Sequence, residues 1–172
     1  MIFPEIENKT WRSFYLSSTF LNTFKEKEVG WKIYSELVFK RTYARRKPDG
    51  TFEDWWECCK RVVEGTYNIQ KLHAKRHGLR WDDRKSQASA QEMYNRMFCF
   101  KFLPPGRGLW TMGTSIVYDK GSACLNNCGF VSTVDIDVEF SSPFLFLMDM
   151  SMLGVGVGGD TKGAGKVTIQ KP

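Results

Sequence analysis

The stretch Leu103-Pro-Pro-Gly-Arg-Gly-Leu-Trp110 most constrains the fold: two adjacent prolines fix φ and remove backbone donors, while two glycines permit positive φ. It predicts a rigid turn in place of a helix, with helical patterning before it and strand patterning after it. Beyond the turn, Cys124-Leu-Asn-Asn-Cys-Gly-Phe-Val131 passes from polar to apolar residues and continues to Val134, with β-branched side chains that favour a strand. Cys128 falls near the start of that strand. The segment from Pro143 to Leu153 is almost continuously apolar but too short to cross a bilayer as a helix, so it is expected to be buried in protein. It runs directly into Gly154-Val-Gly-Val-Gly158, a loop whose backbone amides can close on an anion or a sugar because no Cβ blocks the approach.

Before the turn, Trp11, Phe14, Tyr15, Leu16, Phe20, Leu21 and Phe24 lie close to a helical stripe that ends near Gly30. Pro48-Asp-Gly50 reads as a turn. Thr51-Phe-Glu-Asp54 has capping-box form, with Asp in place of Glu, and opens a helix that Gly65 is expected to end. Trp55, Cys59, Val62 and Val63 share its inner face. Residues 66 to 85, polar and basic, suggest a loop or a short irregular surface helix. Ser86 or Ser89 then caps a third helix, with Met93, Met97, Phe98 and Cys99 inward and Pro104 as its stop. Without repeats or a linker, residues 1–172 read as one unit, mainly helical over 1–102 and with the strand-bearing part over 103–172.

At 172 residues and 42% hydrophobic content the chain is large enough to bury a core, and no apolar run reaches the length of a membrane span. A soluble cytoplasmic protein is the expectation. The five cysteines lack C-x-x-C spacing and only two histidines accompany them, which argues against a secreted disulfide framework and against a metal site. In an extended segment Cys124 and Cys128 would stand about 13 Å apart, beyond the roughly 7 Å that a disulfide tolerates. The formal charge of +6 is concentrated in Lys40 to Lys47 and Lys71 to Lys85. The bland reading is a solvated basic face; with Tyr43 and Trp81 interleaved, the sharper alternative is a nucleic-acid-binding module that stacks bases. No nucleic-acid motif accompanies it. Gly154, Gly156 and Gly159 satisfy G-x-G-x-x-G, but too little chain follows for a Rossmann unit. Gly163-Ala-Gly-Lys166 lacks the first glycine and the Ser/Thr of a phosphate-binding loop.

Several of these segments together resemble one family. Pro105-Gly-Arg-Gly-Leu-Trp110 followed by Gly113-Thr114, then Leu125-Asn-Asn-Cys-Gly-Phe-Val131, then Pro143-Phe with Leu153-Gly-Val-Gly-Val-Gly158, occur in the order seen in the monomeric, adenosylcobalamin-dependent class II ribonucleoside-triphosphate reductases. Lys40-Arg-Thr-Tyr-Ala-Arg45 and Arg61-Val-Val-Glu-Gly65 look like the N-terminal signatures of that family, so the resemblance covers roughly residues 30 to 160.

The resemblance implies an α/β fold in which N-terminal helices lead into the first strands of a ten-stranded reductase barrel, incomplete in this chain. It implies that Cys128 is one of two cysteines that deliver electrons to the ribose and become a disulfide, its partner lying outside the chain. Asn127 stands where the family presents a polar group or backbone to the substrate phosphates. Leu103 and Pro104 replace a Thr-Pro pair that helps to hold substrate, so only backbone contact remains there. Gly154 and Gly156 belong to the loop that passes the sugar and phosphates. The implied chemistry is cobalamin-initiated thiyl radical reduction of ribonucleoside triphosphates to deoxyribonucleotides for DNA synthesis, with a thioredoxin-like reductant. The adenosylcobalamin surface would lie mostly outside this chain. No residue here matches the thiyl-radical cysteine, its neighbouring carboxylate or the second redox cysteine. The chain is therefore expected to be a truncated, split or interrupted piece, inactive alone and partnered by the remainder of the reductase or a complementing fragment.

Overall fold

The structure, a computed structural model, describes residues 13–168, so Trp11 of the expected N-terminal stripe lies outside the described residues. The chain forms two compact units, one reaching to Ser115 and the other starting at Ile116, where the sequence reading keeps one unit with an internal change at residue 103.

The first unit holds α1 (Ser18–Lys25), α2 (Ser35–Val38) running into a π-helical turn (Phe39–Tyr43), α3 (Trp55–Arg76), α4 (Asp83–Phe98) and α5 (Gly106–Thr111). The N-terminal stripe is helical only from Ser18. Residues 13–17 are non-helical, and there Phe14 and Leu16 are buried while Tyr15 is exposed. Side chains of α3 hold this segment down: the amide of Phe14 donates to Asn68 Oδ1 at 2.6 Å and that of Leu16 to Glu64 Oε1 at 3.0 Å.

Helix α3 opens at Asp54, whose amide donates to Glu57 Oε2 at 2.8 Å in a capping box three residues later than the expected one. Thr51 instead closes the preceding turn, its amide and hydroxyl both donating to Asp49 Oδ1. Gly65 does not end the helix. A Cβ at that position would stand 2.6 Å from both Cα and N of Gly113, so the glycine is there for close backbone approach and the helix continues to Arg76. Residues 66–76 thus continue a regular 22-residue helix, where a loop or a short irregular surface helix was expected. Helix α4 begins at Asp82, whose carboxylate accepts from the Lys85 amide at 3.0 Å, and not at Ser86 or Ser89. It ends at Phe98, ahead of Pro104, because Phe100 turns the chain at φ +56°. Cys99 is exposed, not inward.

Trp55, Cys58, Cys59, Val62 and Val63 of α3 pack against Tyr94, Met97 and Phe98 of α4, with Phe14, Leu21 and Phe24 closing the core. Each fully buried large apolar side chain contributes about 1.5–3 kcal/mol relative to exposure. The polar atoms inside are satisfied: Trp55 Nε1 donates to the Phe98 carbonyl at 3.1 Å and Tyr94 Oη to the Trp56 carbonyl at 3.0 Å. The expected rigid turn is half right. Pro105 is the N-cap of α5, and Gly106 to Thr111 are helical. A proline at a helix start costs no bond, since the first amides of a helix have no internal acceptor.

The second unit contains α6 (Ser115–Lys120, its first residue at the boundary), a 3₁₀ turn (Ser122–Leu125), β1 (Cys128–Val131), α7 (Ser142–Met152) and β2 (Gly156–Gly159). The strands are parallel and pair Cys128 with Gly156 through to Val131 with Gly159, with α7 as the crossover. Part of the expected glycine loop is therefore a strand. The expected burial of the segment from Pro143 to Leu153 is also corrected: Phe144, Leu145, Met148 and Met152 are 51–78% exposed. Two strands are too narrow to cover more than one side of the helix, and there the Phe146 ring lies 3.5 Å from where a Gly129 Cβ would be.

Candidate functional site

Cys128 opens β1, and its position follows from the residues around it. The Asn127 carbonyl accepts from the Gly156 amide at 3.0 Å, which starts the ladder one residue before the cysteine. A Cβ at Gly156 would lie 3.1 Å from that carbonyl and 4.0 Å from Cys128 Sγ, so glycine gives the two strand starts their close approach. Gly154 acts differently. It has φ +76° and open space where a Cβ would point, so conformation is the requirement there, at the end of α7. The structure brings Asn127, Cys128 and Gly156 together, with Gly154 two residues before β2.

The Cys128 thiol is free and exposed. Cys124 is buried in the 3₁₀ turn, where its Sγ donates to the Gly121 carbonyl at 3.2 Å. The two sulfurs are not bonded to each other.

At the other end of the strand pair lies a carboxylate that the sequence reading missed. Asp160 Oδ1 accepts from the Thr133 amide at 2.9 Å, the Thr133 hydroxyl at 2.9 Å and the Lys162 amide at 3.2 Å; Oδ2 accepts from Ser132 Oγ at 2.8 Å. These donors, the Thr133 amide foremost, hold the carboxyl well below the usual carboxylate range. The signal available in sequence was a Ser-Thr pair after one strand and an Asp after the other.

Leu103 and Pro104 belong to the first unit. Leu103 lines an apolar cavity of about 330 Å³ with Trp31, Val38, Phe39, Trp55 and Phe100. Pro104 packs on α5, its Cβ 3.1 Å from where a Gly108 Cβ would stand. In the same unit Arg61 donates to Glu53 Oε1 at 2.7 Å and Oε2 at 2.9 Å, and to the carbonyls of Met112 and Leu109 at 2.6 and 2.9 Å. Glu53 Oε2 also accepts from the Arg45 amide at 3.0 Å, and the Arg45 guanidinium lies over the Trp110 ring. The residues read as separate signatures therefore form one framework that fastens α5 to α3.

Within the basic clusters, Lys40 pairs with Asp54, Lys47 with Glu57 and Lys71 with Asp83. Tyr43 and Trp81 pack against the core, and Trp81 Nε1 donates to Asp83 Oδ1 at 2.9 Å. The nucleic-acid reading thereby loses the aromatic platform it required. Among the described residues no group of three or more His, Cys, Asp or Glu could hold a metal ion, and no helix is long and apolar enough to cross a membrane.

Helices together with a cysteine-bearing parallel strand pair joined by a helix make this a mixed α/β chain, and the comparisons with known proteins give its family. Residues 16–114 match the family described as the ribonucleotide reductase alpha domain. The chain is 51% identical over 170 residues to a probable adenosylcobalamin-dependent ribonucleoside-triphosphate reductase of Dictyostelium discoideum, covering 97% of this chain and 22% of that protein. It is 45% identical over 174 residues to the adenosylcobalamin-dependent ribonucleoside-triphosphate reductase of Euglena gracilis, covering 98% and 23% respectively. Among solved structures, a crystal structure of a B12-dependent class II ribonucleotide reductase superposes with a TM-score of 0.71 at 31% identity, covering 84% of this chain and 22% of that one. The chain belongs to the ribonucleotide reductase family. It spans about a fifth of the length of the curated relatives it matches.

Proposed function

We propose that this chain supplies the N-terminal part of an adenosylcobalamin-dependent ribonucleoside-triphosphate reductase and contributes one of its two reducing thiols, Cys128. The observation that carries the reading is the free, exposed Cys128 thiol at the start of a strand whose partner begins with glycine, so that no side chain of that residue stands beside the sulfur. In the reaction the ribose C2′–OH bond breaks and a C2′–H bond forms. Two thiols each give up a hydrogen, their sulfurs join as a disulfide, and water leaves with the C2′ oxygen. By the family resemblance the second thiol lies outside this chain; Cys124, the nearest cysteine in sequence, is buried and hydrogen-bonded to Gly121. A thioredoxin-like dithiol then returns the pair to the reduced state, and the deoxyribonucleotides serve DNA synthesis in the cytoplasm.

Asn127 has its carbonyl engaged by Gly156, so its exposed carboxamide is the group available to a substrate phosphate. Gly156 keeps the space beside the thiol free of a side chain, and Gly154, set by its positive φ, offers the substrate only backbone. Leu103 and Pro104 offer only backbone to a substrate, and the Leu103 side chain is turned to an apolar cavity. The apolar cavity that Leu103 lines, about 330 Å³, is far smaller than a corrin with its nucleotide tail and does not fit adenosylcobalamin. The cofactor, held by the remainder of the protein, would supply the radical.

The test mixes this chain with a fragment carrying the remaining part of one of the relatives, adenosylcobalamin, a dithiol and a ribonucleoside triphosphate, and measures deoxyribonucleotide formation. Activity that depends on both pieces and vanishes with Cys128→Ser supports the reading. Activity unchanged by Cys128→Ser, or none with any matched fragment, overturns it.

A further inference from the structure

Strand β2 reads Gly156-Val-Gly-Gly159, so three of its four residues have no side chain. Register is ordinarily set by the alternation of inward and outward side chains, and glycine-rich strands slip because that information is missing. Both strands are four residues long, and the ladder bonds themselves are equivalent in any register. Something else must decide that Cys128 faces Gly156.

We propose that Asp160 sets this register and is thereby a positioning residue for Cys128, an inference that rests on the redox role proposed above for that thiol. Ser132 follows β1 and Asp160 follows β2, and the offset between them continues the one that pairs Val131 with Gly159. The Ser132–Asp160 contact is therefore the next rung of the ladder, made by side chains. Three further bonds to the same carboxylate, from the Thr133 amide, the Thr133 hydroxyl and the Lys162 amide, fix it in place. Thr133 Oγ1 in turn accepts from the Gly163 amide at 2.9 Å, which ties in the segment beyond. Bonds to a charged carboxylate are short and about twice as strong as neutral ones. Their requirement for one alignment is strict. A slip of two residues moves the carboxylate by about 6.6 Å, at roughly 3.3 Å per residue, and breaks all of them. A slip of one turns the thiol to the opposite face of the sheet. The depressed pKa of Asp160 keeps the acceptor charged throughout the physiological range.

The register is read by oxidative trapping. Gly154→Cys, Gly156→Cys and Gly158→Cys are made singly in the full chain, with Asp160 intact or replaced by Ala. Each is oxidised with copper phenanthroline, and peptide mapping identifies the disulfides formed with Cys128. With Asp160 intact the bond forms at position 156. With Asp160→Ala its yield falls several-fold and bonds appear at 154 or 158, while the buried Cys124 stays resistant to alkylation. The proposal is overturned if Asp160→Ala leaves trapping at 156 unchanged, or if trapping is lost everywhere and Cys124 becomes reactive, since Asp160 then holds the fold and not the register. A shifted trapping pattern together with full activity of Cys128→Ser in the mixing assay would keep the register role and remove only its catalytic meaning.

Discussion

Arg61 and Glu53 meet as a fork, Nε on Oε1 and Nη2 on Oε2 at 2.7 and 2.9 Å, with side chains only 13% and 10% exposed. Replacing one partner leaves the other charged, desolvated and without its counter-ion, which costs about 3–5 kcal/mol. Arg61→Met or Glu53→Ala should lower the unfolding free energy of the helical unit by that amount, with a lower urea midpoint followed by tryptophan fluorescence. Arg61→Lys should also destabilise it, because a single ammonium cannot serve the carboxylate and two carbonyls at once. An unchanged midpoint in Glu53→Ala would refute the assignment.

Gly65→Ala provides a test of opposite sign to the usual rule. In an exposed helix interior alanine is favoured over glycine by about 1 kcal/mol. Here the added methyl would meet the Gly113 backbone at 2.6 Å and Met112 Cγ at 3.3 Å. Overpacking of this kind costs about 1–3 kcal/mol, so thermal unfolding should occur at lower temperature in the variant. A raised midpoint would show that the two backbones do not touch.

The same glycine shows what could be read in the sequence and what could not. The inner face of α3 at Trp55, Cys59, Val62 and Val63, the turn at Pro48 to Gly50 and the start of a strand at Cys128 were legible, because each is a local pattern of period, cap or propensity. Gly65 looked like a helix end because its partner, Gly113, is distant in the chain. The cap at Asp54 was missed for a milder reason: Thr51 offers a similar string, and only the fold shows that its hydroxyl is used by Asp49. Burial of α7 was inferred from apolar content alone, yet content does not say how much sheet stands ready to cover a helix. At the site, Cys128 and its glycine neighbours carried a visible motif, whereas the Asp160 clamp joins two positions far apart in sequence.

The five thiols should separate cleanly by reactivity. Cys99 and Cys128 are exposed, and Cys58, Cys59 and Cys124 are buried. Burial pushes the Cys58 thiol up to about 12 and that of Cys59 well above its ordinary value, so neither forms the reactive thiolate. Iodoacetamide at about pH 8 should label Cys99 and Cys128 in the native chain and the other three only after denaturation, read by mass spectrometry. Native labelling of Cys58 would contradict the described packing.

Acid should loosen the strand pair through Asp160. Its carboxyl is held below the unfolded value, chiefly by the Thr133 amide and then by the Ser132 and Thr133 hydroxyls. A depressed folded pKa contributes stability that is complete above the unfolded value, about 3.9, and is lost as pH falls from there through the folded value. Amide resonances of Gly156 to Gly159 should therefore lose dispersion below about pH 4 in the unaltered chain. With Asp160→Asn that step should shrink, because no charge remains to be neutralised. An identical acid response in both would exclude Asp160 as its source.

The apolar side of α7 gives the second unit a physical character unlike that of the first. Phe144, Leu145, Met148 and Met152 face water, and each strand has only one neighbour among the described residues. A two-stranded ribbon is marginal by itself, and bare edges recruit other edges. Solubility of the isolated polypeptide will accordingly be limited by these C-terminal residues and not by its aromatic interior, and limited digestion should release from any precipitate a helical core that remains in solution.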